Sequence, residues 1–557
     1  MRLNTTHAKK HMGIVLVDGI EVTIGDNERL NGIQVAERAG IEIPHYCWHP
    51  GLSVVASCRM CLVEQGQKNP QTGKIEMLPK VVPACQTPAK DGTVFITNSE
   101  KVEKCRAQVE EALLIDHPID CPICDKAGEC RLQDYHFAHG QDERRADIRP
   151  FHSKKRSMGD TVELFVDRCV MCTRCVRFTR EITGTSELLV INRGSHEEID
   201  VFPGYPLANK MSGNVVDLCP VGALGDKDFM YSQRVWFMKS HDGLCGDCAG
   251  GCNLHIEENQ DRIYRLRPRE NMQVNKWWIS DECRYAYHHV HAEDRLVGPR
   301  RKDATGKHAI VEWNTVAGEL KTKLKAAGTL AAVISPHLTI EEAYLLIKFI
   351  RGIDAGAALA LGPVQVVGVD EKLPNGFILH SEKAPNRRGI EMLLSHFGGK
   401  VMQFEELVNE IESGTIKGVW VSGGYQRQGW NDEATAKKFA KLDVLVVQDL
   451  FTSPLYAAAT YQLPGGSFAE RDGSYVNFAG RLQSAKAAIR PPVGAWVEGQ
   501  LYQRLLERAG LFNGRKTLTE LAQEIPAFHL ALSEIPPTGV DLTVNQLAAT
   551  GETTLKV

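Results

Sequence analysis

All of the chain's 16 cysteines except Cys105 fall into four sets, and none lies beyond Cys283. In chain order the sets are Cys47, Cys58, Cys61, Cys85; His117, Cys121, Cys124, Cys130; Cys169, Cys172, Cys175, Cys219; and Cys245, Cys248, Cys252, Cys283. Each supplies four soft or borderline ligands, a donor choice that suits iron–sulfur clusters and zinc. Four such sets in series on one chain point to iron–sulfur clusters, and a series of clusters points to electron conduction.

The first set, Cys47-x10-Cys58-x2-Cys61-x23-Cys85, follows a short helix in a β-rich segment. A long loop with three ligands and a distant fourth is how a [2Fe–2S] cluster is held, although plant-type ferredoxins use a tighter first spacing. Zinc is the alternative, since one Cys-x2-Cys pair with two distant cysteines also binds it. The second set, His117-x3-Cys121-x2-Cys124-x5-Cys130, fits either a cluster or a zinc site of three cysteines and one histidine. If imidazole replaces one thiolate, a cluster there carries one less negative charge and a higher potential. The third set, Cys169-x2-Cys172-x2-Cys175 with remote Cys219-Pro220, matches the bacterial ferredoxin arrangement of a [4Fe–4S] cluster. Structural zinc sites take cysteines in pairs, so a triple run fits them poorly. The fourth set, Cys245-x2-Cys248-x3-Cys252-x30-Cys283, again has three local ligands and a distant closer and suits [4Fe–4S], with zinc or a vestigial site as the alternative. Cys105 is left over. With Val102, Val109 and Leu113 it recurs at helical spacing, so it is expected on an apolar helix face as a small hydrophobe.

At 557 residues the chain exceeds the size of one hydrophobic core, so several domains are expected. Its 43% hydrophobic and 24% charged residues are those of soluble globular protein. A net charge of −4 gives no argument for nucleic acid or for an anionic membrane surface as a partner, and no apolar run reaches the ~18 residues that span a bilayer. The start, Met1 to Met12, has basic residues without an apolar core, so a secretory signal is not expected, and it is short for a mitochondrial presequence. Many cysteines without an export signal favour metal ligation in a reducing compartment over disulfides.

The elements that must position these residues are legible in outline. Ile14–Val17 and Val22–Ile24 flank Asp18-Gly19, a hairpin signal, and a helix near Leu30–Ala39 stops at Gly40. Asn69-Pro70 and Gly73 suggest a second hairpin between Cys61 and Cys85. From Ser99 the pattern turns helical, and Gly140 to Asp160 reads as a charged linker. Trp277-Trp278 is apolar cover for the fourth set. Further on, strands at Leu330–Ile334, Gly418–Ser422 and Val444–Val447 alternate with helices starting near Thr339 and spanning Ala434–Ala440, which favours a mainly parallel sheet. No Gly-x-Gly-x-x-Gly follows a strand, no Walker loop occurs, and Gly423-Gly424-x4-Gly429 reads as a turn. The chain thus shows no NADH or flavin site of its own. It conducts electrons for partners, with no catalytic residue assigned.

The order of the four sets resembles the large iron–sulfur subunit of respiratory complex I, the G-subunit family of bacterial NADH-quinone oxidoreductases. The phrase Leu463-Pro464-x2-Ser467-Phe468-Ala469-Glu470-x-Asp472-Gly473-x3-Asn477-x2-Gly480-Arg481 resembles a stretch of the molybdopterin oxidoreductases. The resemblance implies an α+β multidomain protein. It would comprise a β-grasp [2Fe–2S] ferredoxin-type domain at 12–95, a [4Fe–4S] domain with one histidine and three cysteine ligands at 96–140, and a [4Fe–4S] ferredoxin-type domain at 161–235. A Mo/W-type [4Fe–4S] domain at 240–295 and a molybdopterin-oxidoreductase-like α/β domain at 296–557 would follow. It also implies one [2Fe–2S] and three [4Fe–4S] clusters on the four sets, and no molybdopterin, because no cysteine downstream of Cys283 remains to bind molybdenum. Implied partners are a flavin- and NADH-oxidising subunit, downstream iron–sulfur subunits and the membrane arm, with no direct membrane span. The implied location is the cytoplasmic face of the inner membrane, as a peripheral part of the complex. A soluble NAD-linked formate dehydrogenase or hydrogenase subunit shares the same front half. A zinc-stabilised binding module is the non-redox alternative.

Overall fold

The computed structural model describes residues 13–143, 145–146, 155–194 and 196–544. The chain divides into two units, Met1–Phe237 and Met238–Val557. The expectation for Met1 to Met12 lies outside the described residues.

In the first unit, Gly13–Val17 and Ile20–Ile24 form the hairpin that Asp18-Gly19 signals. Asp18 and Gly19 adopt φ of 47° and 85°, the left-handed pair that a two-residue turn requires to match strand twist. Leu62–Lys68 and Ile75–Pro83 form the second hairpin. Thr93–Ile96 completes a five-stranded sheet, lying parallel to Gly13–Val17 at its centre and antiparallel to Leu62–Lys68. Helix Gly32–Arg38 starts at an Asn31–Gln34 capping box. It packs Ile33, Val35 and Ala36 against Val15, Val17 and Phe95. This is the β-grasp arrangement, and it leaves the 41–61 loop at one end of the sheet.

Helix Glu100–Asp116 begins at Ser99, whose side chain accepts from the Val102 N–H. Its buried face corrects the expectation: Val102, Arg106 and Glu110 are buried, whereas Cys105, Val109 and Leu113 are only partly so. The reason is hydrogen bonding. Arg106 pairs with Glu103 at 2.9 Å, and the Tyr46 hydroxyl donates to Glu110. These bonds offset part of the cost of burying the polar face, since Arg106 Nε and Nη2 and Glu110 Oε2 have no partner. Helix Arg131–His139 follows; in the expected linker, residues 144 and 147–154 lie outside the described residues, and Arg156–Ser157 pairs as a short strand with Val162–Leu164.

The second unit opens with an antiparallel sheet of Lys239–Leu244, Asn253–Asn259 and Arg262–Pro268. Beyond it lies a seven-stranded sheet whose parallel part runs Ala358–Leu361, Leu330–Ile334, Gly418–Ser422, Val444–Asp449, Tyr461–Pro464. The strand period of two sends Leu330, Ala332 and Ile334 to one core and Ala331 and Val333 to the other, so both faces are buried. Helix Ile340–Ile353 starts at the Thr339–Glu342 capping box and covers the first core.

Glu341, in the first turn of that helix, is 1% exposed; its Oε2 accepts from the Ser474 N–H at 2.7 Å while its Oε1 has no partner. Burial pushes its carboxyl up to about 7. A carboxyl raised above its unfolded value contributes stability that is present at low pH and lost as pH climbs through about 7. Glu341→Gln is therefore expected to stabilise the second unit at pH ~8 and to match the parent at pH ~5, read as denaturation midpoints. Equal effects at both pH values would contradict this.

Candidate metal centres

In the first set, Cys61 and Cys85 flank the paired ends of strands Leu62–Lys68 and Ile75–Pro83, and Cys47 and Cys58 lie on the loop before them. Cys47, Cys61 and Cys85 are buried, and Cys58 is partly so. Ala56 and Arg59 take φ of 50° and 61°, left-handed conformations that curl the loop back on itself. The Cys47 N–H lies 3.5 Å from Cys58 Sγ. The thiols of Cys58 and Cys85 donate to Cys47 and hold it below the usual thiol range, while Cys85, squeezed between Cys47 and Cys61, is pushed up. The structure thus brings all four sulfurs together.

The third set is wrapped by Met171 and Thr173, at φ of 48° and 57°. Cys175 lies in the first turn of helix Arg174–Glu181, and Cys219 ends helix Asn214–Leu218. All four cysteines line one cavity whose remaining walls include Leu164, Val170, Ile199 and Leu224. Burial drives Cys169 and Cys175 up, and Cys172 to about 11, with neighbouring thiolates adding to each.

In the second set, His117 caps the end of helix Glu100–Asp116, and Cys130 stands at the start of helix Arg131–His139. His117, Cys121 and Cys130 line a cavity of about 450 Å3 with Leu132 and His136. Cys124 is absent from that lining. Its sulfur lies against Gly222, where an added Cβ would fall 2.1 Å from it. Burial lowers the His117 ring, leaving it neutral and able to ligate.

The fourth set lies in the second unit. Cys245, Cys248 and Cys252 lie on the loop between Leu244 and Asn253. Cys283 sits in helix Asp281–Arg284, where its N–H donates to the capping Ser280 hydroxyl at 3.1 Å. The Cys283 thiol meets Cys245 and Cys252 and is pushed up by both and by burial. Of the expected cover, Trp278 is buried and Trp277 only partly so. The loop's carbonyls receive side chains from far along the chain: Gln426 to Gly246 at 2.6 Å, Asn477 to Gly250 at 3.2 Å and Gln483 to Gly251 at 3.0 Å. Buried Lys383 pairs with Glu282, beside Cys283, and lies 3.8 Å from Asp247, beside Cys248. Arg427 reaches both carboxylates at 2.7 Å.

Among the described residues, no three His, Cys, Asp or Glu side chains converge as the shell of a single metal ion. The first, third and fourth sets instead crowd buried sulfurs together. Protons held on such thiols are what iron ligation displaces, so the donor chemistry fits clusters.

The three sets of the first unit adjoin one another. Arg168, next to Cys169, pairs at 2.9 Å with Asp120, next to Cys121. The Arg131 N–H donates to Pro220 O at 2.9 Å, and Arg234 donates to Cys124 O at 2.7 Å. Arg174 and Arg177 reach from the third set to the main chain around Cys47. Sequence reading passed over these arginines, Asp120, Gly222 and Lys383. The available signal was charge inside the ligand loops, as in Cys172-Thr173-Arg174-Cys175.

Five family models match in order. They are a 2Fe-2S iron-sulfur cluster binding domain (residues 14–100) and an NADH-ubiquinone oxidoreductase-G iron-sulfur binding region (106–145). Next come an NADH-quinone oxidoreductase subunit 3, ferredoxin-like domain (159–225) and an NADH-ubiquinone oxidoreductase NDSU1/NuoG-like, 4Fe-4S domain (247–288). The last is Molybdopterin oxidoreductase (379–508). The G subunit of the NADH-quinone oxidoreductase of Rickettsia felis is 35% identical over 337 residues, covering 59% of this chain and 47% of that protein. The NADH-ubiquinone oxidoreductase 75 kDa subunit of Reclinomonas americana is 38% identical over 304 residues, 54% of this chain and 41% of its own length. The mitochondrial NADH dehydrogenase [ubiquinone] iron-sulfur protein 1 of Solanum tuberosum is 39% identical over 304 residues, 54% of this chain and 39% of its own. The matches therefore span less than half the length of these curated relatives. A solved NAD+-reducing [NiFe]-hydrogenase in the H2-reduced state is 26% identical over 40% of this chain and 91% of its own, at a TM-score of 0.33 too low to carry an argument. By domain content, domain order and sequence identity, the chain is a homologue of the G subunits of NADH-quinone oxidoreductases.

Proposed function

We propose that the chain is an electron-relay subunit of an NADH:quinone oxidoreductase, complex I, carrying electrons from a flavin subunit toward quinone. Cys47, Cys58, Cys61 and Cys85 would hold [2Fe–2S]. His117, Cys121, Cys124 and Cys130; Cys169, Cys172, Cys175 and Cys219; and Cys245, Cys248, Cys252 and Cys283 would each hold [4Fe–4S]. The domains follow these sets, at 12–95, 96–140, 161–235 and 240–295, with an α/β domain at 296–557. When bound, such clusters supply one-electron redox centres whose potentials follow ligand type, charge and burial.

The observation that carries the reading is contiguity: the third set is tied by hydrogen bonds to the first set and to the second. The third set thus adjoins both of the other sets of the first unit, although it follows them in the chain. The protein's part is to bury the sulfurs away from water, hold the ligand loops in register and surround them with fixed cations. Partners are a flavin- and NADH-oxidising subunit, further iron–sulfur subunits and a membrane arm. The chain would sit peripherally, on the cytoplasmic face of the inner membrane. Among the described residues, no helix is long and apolar enough to cross a membrane.

A pterin fits poorly in the second unit. Its parallel strands follow a 2-1-3-4-5 order, whose binding crevice lies between Leu330–Ile334 and Gly418–Ser422 at their carboxyl ends. The loops there fill that crevice with their own rings: Tyr425 stacks on Trp430 at 4.5 Å and meets His337 at 4.9 Å, all three buried. We assign the domain a scaffold role, consistent with the side chains it sends to the carbonyls of the fourth ligand loop. Molybdenum or tungsten in stoichiometric amount would overturn that assignment.

Reducing the assembled complex with NADH under anaerobic conditions tests the relay. Iron–sulfur signals of this chain are expected to appear with the flavin subunit present and to stay absent when NADH meets the chain alone. Reduction of the isolated chain would place a nucleotide site on it. Separately, His117→Cys adds a thiolate charge and is expected to lower the potential of the second cluster without lowering the iron content. An unchanged potential in redox-poised EPR would remove His117 from the ligand set.

A further inference from the structure

Between the first and third sets lies a buried cation without a carboxylate partner. Arg177 is 2% exposed. Its Nη2 donates to the carbonyl of Cys47, a first-set residue, and at 3.1 Å to the carbonyl of Cys172, a third-set residue. Its Nη1 donates to Ser53 O at 2.5 Å and its Nε to Thr173 O at 3.3 Å. Arg174 repeats the pattern from the side, donating to Trp48 O at 2.5 Å and Leu218 O at 3.2 Å. Trp48 follows Cys47, and Leu218 precedes Cys219. Among the described residues, the acceptors of both guanidinium groups are main-chain carbonyls alone.

A buried guanidinium with only neutral acceptors is costly unless negative charge lies nearby. The negative charge at hand is that of the two ligand sets, with Glu181 one turn further along the helix and held by the Ser53 N–H and hydroxyl rather than by Arg177. A cluster held by four thiolates carries net negative charge, and reduction adds one more unit. A fixed cation touching the main chain of both ligand shells therefore favours the reduced form of each. A neutral staple could also hold two loops together, but glutamine, serine or a main-chain turn would do that without burying a charge.

We propose that Arg177 is a shared positioning residue, one guanidinium that joins the Cys47 and Cys172 loops and raises the reduction potential of both clusters. This rests on the ligand assignment of the first and third sets. Arg174 contributes in the same direction from the rim.

The test compares Arg177→Gln and Arg177→Lys within the assembled complex, by iron and sulfide content and by redox-poised EPR. The binuclear signal reports the first set; the third-set signal is identified by its loss in Cys219→Ser. Arg177→Gln is expected to shift both midpoints negative with iron unchanged, leaving the second- and fourth-set signals in place. Arg177→Lys, which keeps the charge, is expected to restore both midpoints to near the parent values. Full iron with unmoved midpoints in Arg177→Gln, or movement of one midpoint only, would overturn the proposal. If Arg177→Gln loses iron, the lysine variant decides. Retained clusters at parent potentials support the charge role, and loss there too makes Arg177 a neutral staple. A parent protein without either signal would refute the ligand assignment itself, an outcome separate from all of these.

Discussion

Arg471→Met is expected to destabilise the second unit by about 3–5 kcal/mol, the range for removing one member of a buried ionic network. Arg471 is 1% exposed, pairs with Glu342 at 3.1 Å and Glu498 at 2.6 Å, and donates to the carbonyls of Gly466 and His337. Methionine fills much of the volume but leaves two carboxylates facing each other in a dry core. Those carboxyls then take protons more readily in the folded state than in the unfolded one. Their penalty is absent at low pH and grows as pH rises, so the variant should lose less stability at pH ~5 than at pH ~8. Calorimetric or denaturant unfolding at the two pH values checks both statements. A loss below ~1 kcal/mol, or one independent of pH, would show that the arginine is not the charge that balances this core.

Gly222→Ala is expected to abolish the second cluster while sparing the first and fourth. The added methyl would stand 2.1 Å from Cys124 Sγ and 3.3 Å from Lys126 Cβ; the first distance is one no carbon and sulfur tolerate without a bond. The sulfur must swing away, and a tetranuclear site deprived of one thiolate ligand loses its cluster or its stability. Iron should fall by about four per chain, the content of one such cluster. Unchanged iron with an intact second-set signal would mean that Cys124 is not a ligand in the native protein.

The candidate cysteine sets were legible because their members are close in sequence, as in Cys169-x2-Cys172-x2-Cys175. Local chemistry of other kinds was legible too: Asp18-Gly19 makes its turn, and Thr339 and Glu342 make their capping box. What lay beyond reach was long-range. Arg177 meets Cys47 across 130 residues of chain, and Gln483 meets Gly251 across 232. No spacing rule encodes such contacts. The helix after Ser99 shows a different failure. An apolar period through Cys105 and Val109 was present, yet the buried face follows Arg106 and Glu110, which meet Glu103 and Tyr46 across that face. Hydropathy sees the cost of burying a charged group but not the partner that offsets it.

Charge in the ligand loops has a common pattern across both units. Arg168 with Asp120 and Lys383 with Glu282 each bring charge to residues adjacent to cysteines of proposed ligand sets. Arg177 stands apart from these because its acceptors are carbonyls.

Whether four separate sets hold iron is measured most directly by the iron and acid-labile sulfide content of the anaerobically purified protein, with EPR of the reduced state. One binuclear and three tetranuclear clusters require about fourteen iron atoms and about fourteen sulfides per chain, with a binuclear signal beside tetranuclear ones. A colourless protein holding zinc, or iron and sulfide sufficient for only one or two clusters, would contradict the relay.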